Sequence, residues 1–188
     1  MEYNIRRCKN GGDIMGYTSS NTALLAVDIQ KGLFRTATSV YKAEELLNTA
    51  EKLLQEAREA GIQVVHVQRY NEILDAIGEK AINMHPRISF KPGDLMVRKE
   101  WMSAFHKTNL HEVLQRKNIE RIVVMGLVTQ GAIKATCLQG KELGYEVVLV
   151  ANGHSNNNNN AQQIIKEWNE TLMKENISVL KAEDIYFL

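Results

Sequence analysis

Short apolar runs alternate with amphipathic helical stretches along most of this chain, and that alternation restricts the possible folds more than any other feature. Residues 22–27 (Thr-Ala-Leu-Leu-Ala-Val) form an apolar run ending at Asp28 and read as a buried strand. Residues 42–59 place Leu46, Ala50, Leu53, Leu54 and Ala57 at helical spacing with charges between them, and Gly61 stops the helix. Residues 62–67 read as a second strand. Residues 71–94 are irregular and hold both prolines, Pro86 and Pro92. A short strand at 95–97, a short helix at 111–117 and a strand at 121–125 follow. Then come a helix at 130–143 closed by Gly144, a strand at 145–150, a helix at 161–175 and a last strand at 177–180. The pattern predicts an α/β fold: a doubly wound three-layer sandwich on a mostly parallel six-stranded sheet. It assigns residues 22–188 to that domain and 1–21 to an N-terminal tail, with 9–13 as loop and the tail free to pack on a neighbour. The polar run 156–160, five asparagines, reads as a solvated loop entering the next helix.

Composition narrows the function classes. The chain has 188 residues, long enough for a sizeable core, and 44% of them are hydrophobic. Lys and Arg number 23 against 22 Asp and Glu, a net charge of +1, so no strong field draws in nucleic acid or an anionic membrane. Aromatic residues are 6%, too few to suggest a stacking platform for single strands. Apolar runs such as 122–125 are far too short to span a bilayer. The first twelve residues carry no apolar signal region, so a cytoplasmic location is expected. Two cysteines, Cys8 and Cys137, make neither a disulfide framework nor a zinc cluster.

The common motifs of doubly wound proteins are missing. Gly11, Gly12 and Gly16 precede the first strand, and Gly126 and Gly131 are not part of G-x-G-x-x-G. There is no Walker A sequence, and Ser155 is not in a G-x-S-x-G elbow. Three places remain. Asp28 ends the first strand, at the sheet edge that holds ligands in this fold class, although an Asp there also serves as a helix cap. Lys99 lies in the charged stretch Arg98-Lys99-Glu100, where a lysine is ordinarily solvated. Residues 124–137 run from a buried strand into a helix, a turn whose backbone N–H groups can hold an anion or simply join two elements.

In order and spacing these segments resemble the isochorismatase-like hydrolases, the superfamily that includes nicotinamidase and N-carbamoylsarcosine amidase. The matching pieces are Leu24-Leu-Ala-Val-Asp-Ile-Gln30 with Phe34, and Lys99 ahead of Ser103-Ala-Phe105, Thr108 and Leu110. After them come 119–126, Thr129, Ala135-Thr-Cys137, Leu143-Gly-Tyr145 and Val148-Leu-Val-Ala-Asn-Gly-His-Ser155. The resemblance covers about residues 22–180. It implies that the first strand lies beside the one ending at Gly126. It also implies a triad of Asp, Lys and Cys: the Asp takes the thiol proton, the Lys holds the Asp ionised, and the thiolate attacks an amide or related carbonyl. Carried over, Asp28 and Lys99 match. The cis peptide that precedes the oxyanion donors falls at Leu127–Val128, and the donors are the N–H groups of Val128 and residue 132. Gln30, Phe34, Trp101 and Thr129 are expected to line the pocket. The resemblance further implies a homo-oligomer, dimer or tetramer, acting on a small molecule without a cofactor.

At the position of the nucleophile this chain has Ala132. A methyl group cannot attack a carbonyl. Cys137 lies five residues on, about 140° round a helix and roughly 7.5 Å along it, and reads as a small core residue. Three explanations follow. The protein is a family member without cysteine chemistry, as isochorismatases proper use the Asp as general acid on a vinyl ether. Or it binds a ligand or serves assembly without catalysis. Or Ala132 is an engineered replacement of cysteine. No Asp-x-His pair of the nicotinamidase metal site exists: His66 is inside a strand and His85 adjoins Pro86, so no metal is expected. The 71–94 segment is expected to overhang the crevice as a lid or wall, and Arg69, Arg87 and Lys91 are either cations that meet a carboxylate or solvated surface charges. Asn152 stands where relatives have Asp, which weakens a structural contact there.

Overall fold

The computed structural model describes residues 5–7, 13–70 and 81–188. Strands β1 (Ile5–Arg7) and β2 (Asp13–Met15) pair antiparallel as a separate hairpin, so Asp13, read as loop, begins a strand; residues 8–12 lie outside the described residues. The main sheet is built on β3 (Thr22–Val27), whose six residues are all buried because both faces are covered. The others are β4 (Gln63–Arg69), β5 (Leu95–Lys99), β6 (Arg121–Leu127), β7 (Glu146–Ser155) and β8 (Ser178–Leu180). Their order is β5-β4-β3-β6-β7-β8, and every pairing is parallel. The sheet has the six strands expected, and all of it is parallel.

Among the described residues four α-helices cover it: α1 (Ala43–Glu59), α2 (Leu110–Arg116), α3 (Lys134–Glu142) and α4 (Ala161–Lys174). Side chains alternate across each strand, so the core divides into two layers. Leu24, Ala26, Val64, Val123 and Val148 pack against Leu47, Ala50, Leu53 and Leu54 of α1. Leu25, Val27, Val65, Val124 and Leu149 pack against Leu110, Leu114, Cys137 and Leu172 of the other three helices. This is the three-layer sandwich that the apolar periodicity predicts.

Several local readings differ. Residues 16–21 run along the domain: Tyr17 is buried, its N–H donates to Tyr186 O, and its carbonyl accepts from Leu188 N–H. Chain-terminal pairing of this kind leaves no local signal. The helix expected from 130 is split into a wide turn, Thr129–Ile133, and α3, because Gly131 has φ −107°, ψ −106°. Strand β7 continues to Ser155 through a register shift opposite Val124–Gly126. Of the irregular 71–94 segment, 71–80, and with them much of the expected lid, lie outside the described residues. Residues 81–85 run antiparallel to 29–32 through Lys31 N–H to Asn83 O, Gly32 N–H to Ala81 O and His85 N–H to Ile29 O. The asparagine run is only partly solvated. Asn156 is fully buried, its carbonyl accepts from Tyr41 N–H, and its Oδ1 accepts from Asn158 N–H.

Candidate active site

Strands β3 and β6 are neighbours with Val27 opposite Gly126, so Asp28 and Leu127 leave the carboxyl edge of the sheet side by side. Gly126 makes that closeness possible. Its φ is +130°, and a Cβ there would lie 1.9 Å from Val27 O. Asp28 itself has φ +51°, a region that Asp tolerates better than most residues. Its N–H donates to Val67 O and its carbonyl accepts from Gln30 N–H.

Lys99, the last residue of β5, reaches across β4 to the Asp28 carboxylate. Nζ lies 2.7 Å from Oδ2, and both side chains are almost wholly buried. The ammonium also donates to Trp101 O at 3.2 Å. Burying a charge is costly unless it is paired, and this pairing accounts for a lysine at 2% exposure. Asp28 Oδ1 is buried and has no hydrogen-bond partner among the described residues. Burial pushes the Asp28 carboxyl above its ordinary value, opposed by Lys99 and then Arg69. Burial also pushes Lys99 down, opposed by Asp28. A carboxyl raised in this way is a better proton acceptor than a solvated one.

The Leu127–Val128 peptide is cis. Ala132 is buried in the wide turn that follows, in the same apolar cluster as Val27 and Val97. Thr129 is buried, its Oγ1 2.9 Å from His154 Nδ1 and 3.1 Å from Ser155 O. His154 Nε2 lies 2.8 Å from Asn169 Oδ1. The Thr129 hydroxyl is thus engaged inside the fold. Burial lowers His154 to about 4, which keeps the ring neutral at pH 7.

Gln30 is spent on the scaffold. Its Nε2 donates to Arg69 O and Ile82 O, and its Oε1 accepts from Arg69 N–H, fastening β4 and the 81–85 segment over the end of β3. Phe34 is partly buried with its ring 4.7 Å from that of His85. Trp101 is half exposed, edge-on to His106 and under the Lys107 ammonium. Cys137 lies in the core and burial pushes its thiol up to about 12. Arg87 is committed to Glu44, Asn48 and Glu51 of α1. Asn152 keeps a structural contact, its Oδ1 accepting from Ala182 N–H. Among the described residues no three His, Cys, Asp or Glu side chains gather to hold a metal ion.

Sequence reasoning missed three features. The His154–Thr129 contact had its only signal in Gly153-His154-Ser155. The Gln30 clamp had none. The third is a buried cluster in which Asp94 pairs with Arg58 and His66, tying the 88–94 loop to α1 and β4.

A doubly wound α/β domain with a buried acid–lysine pair at the carboxyl edge of its central strands defines the class. The family model for the isochorismatase domain matches residues 22–171, and the chain belongs to the isochorismatase family. It is 31% identical to a streptothricin hydrolase of Streptomyces noursei over 71% of this chain and 49% of that one. It is 26% identical to a maleamate amidohydrolase of Pseudomonas putida, over 68% of this chain and 69% of that one. The chain spans about half the length of the streptothricin hydrolases it matches. The crystal structure of an isochorismatase from Pseudomonas putida superposes with a TM-score of 0.80 at 22% identity, covering 90% of this chain and 92% of that one; that likeness is one of fold. No helix among the described residues is long and apolar enough to cross a membrane.

Proposed function

We propose that this protein is built on a hydrolase site for a small molecule carrying an amide, ureido or vinyl-ether bond, with Asp28 as the proton-transfer group and Lys99 as the residue that holds it. The observation that carries this reading is the Asp28 carboxyl: Oδ2 is fixed by Lys99 while buried Oδ1 has no partner among the described residues. Such a group accepts a proton from a nucleophile or donates one to a leaving group. The relatives named as hydrolases of streptothricin and maleamate support the general class. In this reading Ala132 occupies the nucleophile position, and the N–H groups of Val128 and Ala132 serve as oxyanion donors.

With alanine there, two forms of the chemistry are open. Either Asp28 acts as general acid on a vinyl ether and water completes the cleavage, or a thiol belongs at position 132 and its replacement has silenced the enzyme. The second reading is a small-molecule-binding or assembly protein without catalysis. The methyl group of Ala132 favours it, because a methyl is no nucleophile.

Ala132→Cys separates them. In the hydrolase reading the new thiol has a depressed pKa from Lys99 and the adjoining helix terminus. It reacts with iodoacetamide faster than Cys137 in mass-spectrometric labelling, and Asp28→Asn slows it. Cys137→Ser changes little. A thiol with pKa near roughly 8.5, together with no turnover of small amides, ureido acids or isochorismate, refutes the hydrolase reading and leaves the binding one.

A further inference from the structure

Two cations face one carboxylate at this site. Arg69 is the register partner of Lys99 on the neighbouring strand. Alternation along β4 sends its side chain to the same face as Val65 and Val67, the face against which Ala132 packs. Its Nη1 lies 3.9 Å from Met102 Sδ, and that sulfur would be 3.6 Å from a Cβ on Gly131. The guanidinium therefore stands beside the turn that carries Ala132. Its charge acts on both Asp28 and Lys99.

Asp28 is already held by Lys99, and among the described residues no carboxylate pairs with Arg69. The other cations near the crevice are placed differently. Arg87 is committed to α1, Arg98 lies over the Tyr70 ring, and Lys91 is exposed on the far loop. The Arg69 backbone is clamped at both N–H and C=O by Gln30, so the guanidinium is carried on a rigid base. One carboxylate, Asp28, stands against two cations, which leaves one positive charge over, and a guanidinium fork matches a further carboxylate in two parallel hydrogen bonds.

We infer that Arg69 is a specificity residue that takes a carboxylate of the ligand, so that the substrate class is a small anionic monoamide or ureido acid rather than a neutral amide. This rests on the site reading proposed above for Asp28 and position 132.

The test is calorimetric titration of the protein as it stands, whose Ala132 leaves an amide intact, with succinamate, maleamate and N-carbamoylglycine, each against neutral succinamide. At least one anionic probe is expected to bind about tenfold or more tighter than succinamide, as a charge-assisted contact supplies. That preference disappears in Arg69→Gln and is partly kept in Arg69→Lys, with unchanged circular dichroism showing that both variants fold. Equal binding of anionic and neutral probes, no binding of any anionic probe, or a preference that survives Arg69→Gln overturns the inference. Turnover assays on Ala132→Cys separate its failure from that of the underlying reading. Hydrolysis of succinamide as fast as succinamate removes the role of Arg69 and keeps the hydrolase. An Arg69-dependent preference with an ordinary thiol at position 132 and no turnover of amides, ureido acids or isochorismate keeps Arg69 and removes the hydrolase.

Discussion

Replacing Lys99 by methionine is the sharpest test of how the site is held. Methionine keeps most of the apolar stem and removes the ammonium, which leaves the Asp28 carboxyl buried without its partner and Trp101 O without a donor. Removing one member of a buried ion pair costs about 3–5 kcal/mol. For a chain of this length each kcal/mol moves the midpoint by about 2–4 °C, so the expected fall in Tm at neutral pH is about 6–20 °C. The loss has a pH signature. Burial already raises the Asp28 carboxyl, and Lys99 is the largest opposing influence; without it the carboxyl rises further. The folded variant then keeps a proton that the unfolded chain, with a carboxyl near about 3.9, has released. Stability relative to the parent therefore falls as pH rises from about 4 through the raised folded value, and the deficit is smallest in acid. Asp28→Asn combined with Lys99→Met should lose less than the sum of the single changes, with a coupling of about 1–3 kcal/mol. Thermal melts by circular dichroism at pH 4.5 and 7.5 read all of this. A deficit below about 2 °C at pH 7.5, or one equal at both pH values, would refute the reasoning.

Two further predictions concern the scaffold. His154 is held near about 4 by burial, below the ordinary 6.5 or so, so the unfolded chain takes up a proton first as pH falls. That removes about 3 kcal/mol of stability between roughly pH 6.5 and 4, and urea midpoints for His154→Gln should lack this slope; an unchanged slope refutes it. Gly126→Ala places a Cβ 1.9 Å from Val27 O at positive φ, a main-chain clash expected to cost more than about 4 kcal/mol in urea unfolding, and a variant as stable as the parent would show that β3 and β6 are not so closely apposed.

The layered α/β architecture was legible in the sequence because strand and helix periodicity is local. Residues 22–27 and the α1 stripe declare which sides are buried wherever the elements end up. Asp28 was a candidate by its position at the end of the first strand, and Lys99 became one only through the family resemblance. The resemblance implies that Asp28 and Lys99 meet; what composition and periodicity by themselves could not determine is which polar groups meet, because that depends on strand order and register. Asp28 and Lys99 are 71 residues apart and touch only because β5, β4 and β3 lie side by side. The same register puts Arg69 next to Lys99, while Arg87, equally cationic in the sequence, is bound to α1. Asn156 looks solvated in its polar run and is buried, because the loop folds against Tyr41. A side chain's polarity is written in the chain, but whether it can be buried is decided by the partner that the tertiary fold brings within hydrogen-bonding distance.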